Sequence, residues 1–177
     1  VTTMVLIPDP RDLVDTLKTI QKLKPNYYPG VPTLFNALNN HPDVVSGKYD
    51  LSSMKACISA GSALPIEVAR RFKEISKGGV LIEGYGMSEL SPISHANPVL
   101  GVSKEGSVGM PVPDTECKIV DLVEGKEELG IGDVGELCIK GPQVMQGYWN
   151  MEDETKIALR DGWLHTGDIV RVDEDGY

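Results

Sequence analysis

The sequence predicts an α/β fold in two parts: a mostly parallel, βα-layered subdomain over residues 1–98 and a β-rich distorted barrel over residues 99–177. Three observations predict it. Up to about Gly86, short apolar runs alternate with amphipathic helical stretches, as in βα units stacked around a parallel sheet. After Pro92 the texture changes to brief β-like runs separated by Gly and Pro. Charge changes with it: residues 1–98 carry 10 basic and 9 acidic side chains, residues 99–177 carry 7 and 17.

Met4–Ile7 reads as the first strand. Asp9 is then expected to cap a helix with Pro10 in its first turn, and Leu13, Leu17, Ile20 and Leu23 recur at helical spacing until Lys24-Pro25 stops it. A strand near Tyr27-Tyr28 leads through Gly30-Val31-Pro32 into a helix carrying Leu34, Phe35 and Leu38. Ala56–Ser59 is the third strand and runs into Gly61, after which Pro65 opens a helix with Val68, Phe72 and Ile75 on one face. Val80–Glu83 is the fourth. In the second part the β-like runs are Gly106–Pro113, Cys117–Val120, Gly135–Lys140 and Asp168–Val172, with one helix over Glu152–Leu159. Acidic turns at Glu124–Glu128 and Asp173–Asp175 read as solvated surface.

The 177 residues suffice to bury a core. A net charge of −9 argues against an electrostatic grip on a phosphate backbone, so no nucleic-acid partner is expected. With 41% hydrophobic and 24% charged residues the chain has the composition of a soluble globular protein, and it lacks an apolar run of membrane-spanning length or a basic-flanked leader. A cytoplasmic location is expected, with peripheral association at the inner face of the membrane left open. Cys57, Cys117 and Cys138 are odd in number and far apart in apolar segments, so they read as buried thiols rather than a disulfide framework or zinc knuckle.

Three segments carry chemistry. Glu83-Gly84-Tyr85-Gly86-Met87-Ser88-Glu89 follows an apolar strand and should leave the carboxyl edge of the sheet, where open α/β folds bind ligands. Its glycines allow close approach of a flat ligand to the backbone and Tyr85 offers a stacking face. Ser88 can donate to a phosphate oxygen, and Glu89 can hold Mg²⁺, a hard cation that takes a carboxylate plus substrate phosphates. A plain helix start fits the same pattern equally well. The second segment, Ser59 to Pro65, belongs at the same edge and offers a slot for a nucleobase, although close helix-to-strand packing also demands small residues. In the third, Gly162 to Asp168, the carboxylate of Asp168 after a Thr-Gly turn can accept from both hydroxyls of a ribose. His165 reads as a packing or turn residue, because the chain shows neither Ser-His-Asp spacing nor a metal-ligand cluster.

In this order the segments resemble the adenylate-forming enzymes: acyl-CoA synthetases, adenylation domains of peptide synthetases, and firefly luciferase. Tyr85 to Glu89 is similar to the family's adenine-and-phosphate motif, with Ser88 in place of the usual threonine. Gly135-Glu136-Leu137, Gly141-Pro142 and Gly147-Tyr148-Trp149 resemble its next motif, and Trp163 to Asp168 its ribose motif. The resemblance covers essentially the whole chain. Tyr28 to Leu38 and Leu51-Ser52-Ser53-Met54 are most similar to long-chain fatty acyl-CoA synthetases, and Met87 stands where peptide-synthetase domains often carry proline. Coumarate ligases and luciferases share much of this wording.

The resemblance implies a two-step ligation. A carboxylate attacks the α-phosphate of ATP, giving an acyl-adenylate and pyrophosphate, and the thiol of coenzyme A then displaces AMP. It implies nucleotide binding by Gly61, Ser62, Glu83, Gly84, Tyr85, Gly86, Ser88 and Asp168, catalytic roles for Ser88 and Glu89, Mg²⁺ on Glu89, and an acyl channel bordered by Gly30, Val31 and Met87. The family's phosphate loop and its C-terminal lysine domain have no counterpart here. The chain therefore reads as the middle of a longer enzyme, inactive alone, with apolar edges that favour a homodimer. An aryl-acid or carrier-protein-loading enzyme, and a non-catalytic module of the same fold, are the rival readings; Ser88, Glu89 and Asp168 speak against the last.

Overall fold

The computed structural model describes residues 3–177; Val1 and Thr2, the start of the expected first part, lie outside them. Two compact units are present: the chain up to Glu83 with Val99–Gly106, and Gly84–Pro98 with Ser107–Tyr177. Residues 84–98, whose texture groups them with the first part, thus make their contacts in the second unit.

In the first unit α1 (Leu13–Leu23), β1 (Tyr27–Gly30), α2 (Pro32–Asn40), α3 (Pro42–Val45), β2 (Ala56–Ser59), α4 (Ile66–Ile75) and β3 (Val80–Tyr85) follow one another. The three strands are parallel in the order β1-β2-β3, with Gly30 opposite Ser59 and Ser59 opposite Glu83. Proline in the first turn of α2 and α3 needs no amide partner there, which is why both helices start where they do. Two expectations need correction. Met4–Ile7 forms no strand; Met4 and Leu6 are exposed, and an apolar run without a ladder of paired neighbours has nothing to hold it extended. The cap of α1 is Asp12, which accepts from Asp15 N–H at 3.0 Å, whereas Asp9 accepts from the Arg11 amide and guanidinium one turn earlier. Lys24, left-handed at φ 48°, and Pro25 end the helix as expected.

The core of this unit is built around Phe35, which meets Tyr28 and Phe72 edge-on at ring separations of 6.1 and 5.4 Å. Leu17, Ile20, Leu38, Leu51, Met54 and Cys57 close around them, all buried. The buried Asn39 amide donates to the Val68 carbonyl at 2.9 Å, tying α2 to α4.

The second unit contains the last two residues of β3, which pair antiparallel with β4 (His95–Ala96), and β4 in turn pairs with β5 (Met110–Pro111). The expected run Gly106–Pro113 is reduced to β5. A four-stranded antiparallel sheet follows, made of β6 (Glu116–Val120), β7 (Gly135–Lys140), β8 (Leu159–Arg160) and β9 (Trp163–Val170) in the order β6-β7-β9-β8, with α5 (Glu152–Ala158) before β8. Alternation sorts its faces. Cys117 and Ile119, Leu137 and Ile139, and Leu164 point to one side, where all but Ile119 pack with Leu90. Glu116, Lys118, Glu136, Cys138, Lys140, Trp163 and His165 fall on the other. The ribose-like segment lies within a strand, with its Thr-Gly turn reduced to an irregularity of the β7–β9 ladder, and β9 begins five residues earlier than expected.

Gly86 also differs from expectation. A Cβ there would collide with the Pro92 carbonyl oxygen, so the glycine admits the chain's own backbone rather than a ligand. The acids of the turn at 124–128 are exposed, as expected, and Asp121 just before it accepts the amides of Val123, Glu124, Lys126 and Glu127 at 2.7–2.9 Å. Those amides hold its carboxyl well below the usual carboxylate range. All three cysteines are free, Cys57 and Cys138 buried and Cys117 half-buried. Among the described residues no helix is long and apolar enough to cross a membrane.

Gly86→Ala should lower unfolding free energy by about 2–3 kcal/mol, because two backbone segments must part to admit one methyl group; urea denaturation of both proteins measures it. Burial pushes the His95 imidazole down to about 4. The unfolded chain, titrating near 6.5, then binds this proton first, so the contribution is complete above about pH 6.5 and is lost as pH falls toward 4, by up to about 3 kcal/mol. His95→Gln should flatten the urea midpoint against pH in that window, and an unchanged slope would assign the titration elsewhere.

Candidate functional site

The first unit contributes the turn after β2. Because β2 and β3 are parallel with Ser59 beside Glu83, both strands finish at one edge. The Glu83 carboxylate accepts the Leu64 amide at 3.0 Å and so holds the turn that carries Gly61 and Ser62. Burial raises the Glu83 carboxyl against the opposing pull of that amide. Gly61 sits at φ +91°, a backbone that L side chains rarely adopt, and both Gly61 and Ser62 are exposed. Gly30 ends β1 and the exposed Val31 caps α2.

The second unit holds the other segments. Gly84 and Tyr85 complete β3, and Ser88, Glu89 and Leu90 form a single 3-10 turn anchored by the fully buried Leu90. Ser88 is exposed. Met87, partly buried, packs against the Leu90 cluster. The main contact is long-range: Tyr85 donates its hydroxyl to Asp168 Oδ2 at 2.5 Å, across 83 positions of sequence. Burial and the Asp168 carboxylate both raise the Tyr85 phenol, which stays protonated as a donor. Its ring makes a T-shaped contact with the His95 ring at 6.0 Å, and the side chain is half-buried. Asp168 itself is exposed, and a carboxylate that has taken one hydroxyl keeps lone pairs for others.

Glu89 is held from a motif that the sequence reading left without a role. Tyr148 donates its hydroxyl to Glu89 Oε1 at 2.8 Å, and the Met145 amide donates to the Glu89 carbonyl at 2.8 Å. The carboxylate raises the Tyr148 phenol in return. This leaves Oε2 as a hard oxygen donor suited to a divalent cation. The Gly-Tyr-Trp spelling was the available signal, but a tyrosine 59 positions away reveals its partner only through the fold.

His165 is a packed residue, as expected, but it belongs to a cluster that the sequence spacing does not show. It lies opposite Cys138 in the β7–β9 ladder, and its Nδ1 is 2.9 Å from Glu136 Oε2 and 3.3 Å from Cys138 Sγ. A metal-ligand cluster invisible in sequence spacing is thus present, with one ligand atom from each residue inside 4.8 Å. Its surroundings favour an ion pair over a cation site. The Arg160 guanidinium stands 3.6 Å from the same Glu136 oxygen, and burial lifts the Cys138 thiol to about 11, so it stays protonated. Burial pushes the Glu136 carboxyl up, but hydrogen bonds from His165 and Gly167 with the charges of His165 and Arg160 outweigh it and hold it ionised. Since a carboxylate only accepts, Nδ1 of His165 carries the proton.

The chain has relatives at every level compared. It is 48% identical over 174 residues to a long-chain-fatty-acid–CoA ligase of Bacillus subtilis (strain 168) and 44% identical over 175 residues to one of Salmonella typhimurium, in each case over 98% of this chain. It spans about 30% of the length of these curated relatives. Among solved structures, an anthranilate CoA ligase in complex with anthranoyl-AMP superposes with a TM-score of 0.89 at 33% identity, covering 99% of this chain and 33% of that one. A long-chain-fatty-acid-CoA ligase from Archaeoglobus fulgidus gives 0.83 at 28%, covering 93% and 35%. The sequence model of the AMP-binding enzymes matches residues 2–149. With the Tyr85 and Asp168 segments joined in one unit and that match across most of its length, the chain belongs to the family of AMP-binding enzymes.

Proposed function

We propose that this chain is part of an ATP-dependent, AMP-forming long-chain fatty acid–CoA ligase. The observation that carries the reading is the hydrogen bond between Tyr85 and Asp168, which brings an adenine-type segment and a ribose-type segment into contact. The 48% identity to a long-chain-fatty-acid–CoA ligase supports the acid class. In the reaction a carboxylate oxygen attacks the α-phosphorus of ATP, the bond to the β-phosphate breaks and pyrophosphate leaves. The thiol of coenzyme A, giving up its proton, then attacks the acyl carbon and expels AMP. No protein nucleophile is required; positioning and charge neutralisation suffice.

We assign Gly61, Ser62, Glu83, Gly84 and Tyr85 to the adenosine, Asp168 to the ribose hydroxyls, Ser88 to a phosphate oxygen and Glu89 to Mg²⁺. Gly30, Val31 and Met87 are assigned to the acyl channel. The donor set around Glu89 fits Mg²⁺: one carboxylate oxygen is fixed by Tyr148 and the other is unengaged by it, as suits an ion that takes one or two carboxylates and completes its shell with phosphates and water. When bound, the ion neutralises phosphate charge. Tyr148 keeps the carboxylate in place, and the buried Leu90 fixes the turn that presents both Ser88 and Glu89.

The anthranilate ligase superposition at 0.89 favours a second reading, an aryl acid as substrate. Fatty-acid-dependent ATP–pyrophosphate exchange by the intact protein decides between them. Exchange with C12 to C18 acids and none with anthranilate or benzoate supports the proposal; the reverse pattern replaces it with the aryl reading, and no exchange with any acid sinks both. In the same assay Glu89→Ala should lower Mg²⁺-dependent exchange by about 100-fold or more with the melting temperature little changed. Full activity in that variant would remove the metal assignment.

A further inference from the structure

Asp168 reaches Tyr85 because of where an irregularity in β9 puts it. The ladder pairs Cys138 with His165, then Glu136 with Ile169. From Cys138 to Glu136 is two residues along β7, whereas from His165 to Ile169 is four along β9, so Thr166, Gly167 and Asp168 bulge out of the ladder. Gly167 turns the chain there at φ +75°. A bulge has lost its own ladder bonds and needs side chains to fix its shape.

Glu136 supplies two such bonds, one just before the bulge and one within it. Its Oε2 accepts His165 Nδ1–H at 2.9 Å and its Oε1 accepts the Gly167 amide at 3.0 Å. Thr166 finishes the clamp, donating to the Leu137 carbonyl at 2.8 Å and accepting the Asp168 amide at 3.1 Å. The Glu136 carboxylate is mostly covered and the His165 side chain nearly so, and Arg160 stands 3.6 Å behind. One side chain with two acceptors thus reaches from His165, the last paired residue before the bulge, to Gly167, the residue before Asp168.

We propose that Glu136 is a positioning residue for Asp168: it sets the bulge so that the Asp168 carboxylate faces the ribose hydroxyls of the nucleotide. The inference rests on the assignment of Asp168 to the ribose. It predicts that geometry matters more than charge. Glutamine keeps the reach, with its oxygen accepting from Gly167 and its amide donating to the other tautomer of His165, while aspartate keeps the charge but is a methylene too short to serve both.

The test is hydroxyl selectivity in the intact protein, the ratio of kcat/KM for ATP to that for 2′,3′-dideoxy-ATP in adenylate formation. Asp168→Ala should erase the wild-type preference, and Glu136→Ala and Glu136→Asp should reduce it about tenfold or more through KM for ATP, with dideoxy-ATP turnover little changed. Glu136→Gln should retain it. Equal losses on both nucleotides in the alanine and aspartate variants, with the preference intact, would overturn the proposal and leave Glu136 a stabilising residue only. Should Glu136→Ala not fold by thermal melting, the contrast between aspartate and glutamine decides alone. If Asp168→Ala keeps the wild-type preference, the ribose assignment fails and this inference with it, whatever Glu136 does.

Discussion

The register between β7 and β9 is the constraint on which the second unit depends. Side chains alternate, so setting Ile139 opposite Leu164 turns Leu137, Ile139 and Leu164 toward Leu90 in one step. A slip of one residue would put Cys138, His165 and the carboxylate of Glu136 into that apolar cluster, where an ionised group costs several kcal/mol. The same register puts the polar residues of both strands on one face, where Glu136 finds His165, Gly167 and Arg160 together. The core therefore chooses the pairing, the pairing locates the bulge, and the bulge carries Asp168 to Tyr85.

The first unit solves a different problem. Its strands are short, four to six residues, and a parallel ladder of that length needs helices packed on it. The aromatic contacts of Phe35 with Tyr28 and Phe72 join β1, α2 and α4 through one side chain. With that packing in place, the last residue of β2 lies beside Glu83, and Glu83 can reach the Leu64 amide across the turn. A carboxylate that holds the turn after the neighbouring strand is a structural fixture before it is anything else, and its burial would be costly if the amide were absent.

What was legible in the sequence follows from this difference. Ala56–Ser59 and Gly135–Lys140 were placed to the residue, and Pro65 marked the start of α4, because in these segments local pattern and tertiary role agree. Met4–Ile7 failed for lack of anything to pair with, which no local pattern reports. Asp9 and Asp12 are three apart before the same helix and both suit a cap; only the Asx turn at Asp9 decides between them. The site divides the same way. The residue types at Ser88, Glu89 and Asp168 announced themselves, whereas Tyr148, Glu136 and Cys138 act through partners 27 to 59 positions away, and distances of that kind are written only in the strand register and the tertiary packing. The Gly86 reading missed for the same reason, since the atom that demands a glycine belongs to Pro92 in a following loop.

The charge pattern can then be understood from its positions. The second part of the chain is strongly acidic, which is an odd setting for an anionic nucleotide, since two unit charges a few ångströms apart interact by about 1 kcal/mol even in water. The acids that matter are not pointed at phosphate alone. Asp121 is spent on four backbone amides and Glu136 on His165 and Gly167, so much of their charge is compensated by the fold itself. Asp168 accepts the Tyr85 hydroxyl and, on the proposed reading, the ribose hydroxyls, for which a carboxylate is a strong acceptor. Glu89 is the exception, a carboxylate one residue from the hydroxyl assigned to phosphate, and its placement beside that anion makes physical sense only with a cation between them. On the proposed reading the need for Mg²⁺ is thus an electrostatic consequence of putting Ser88 and Glu89 on one turn.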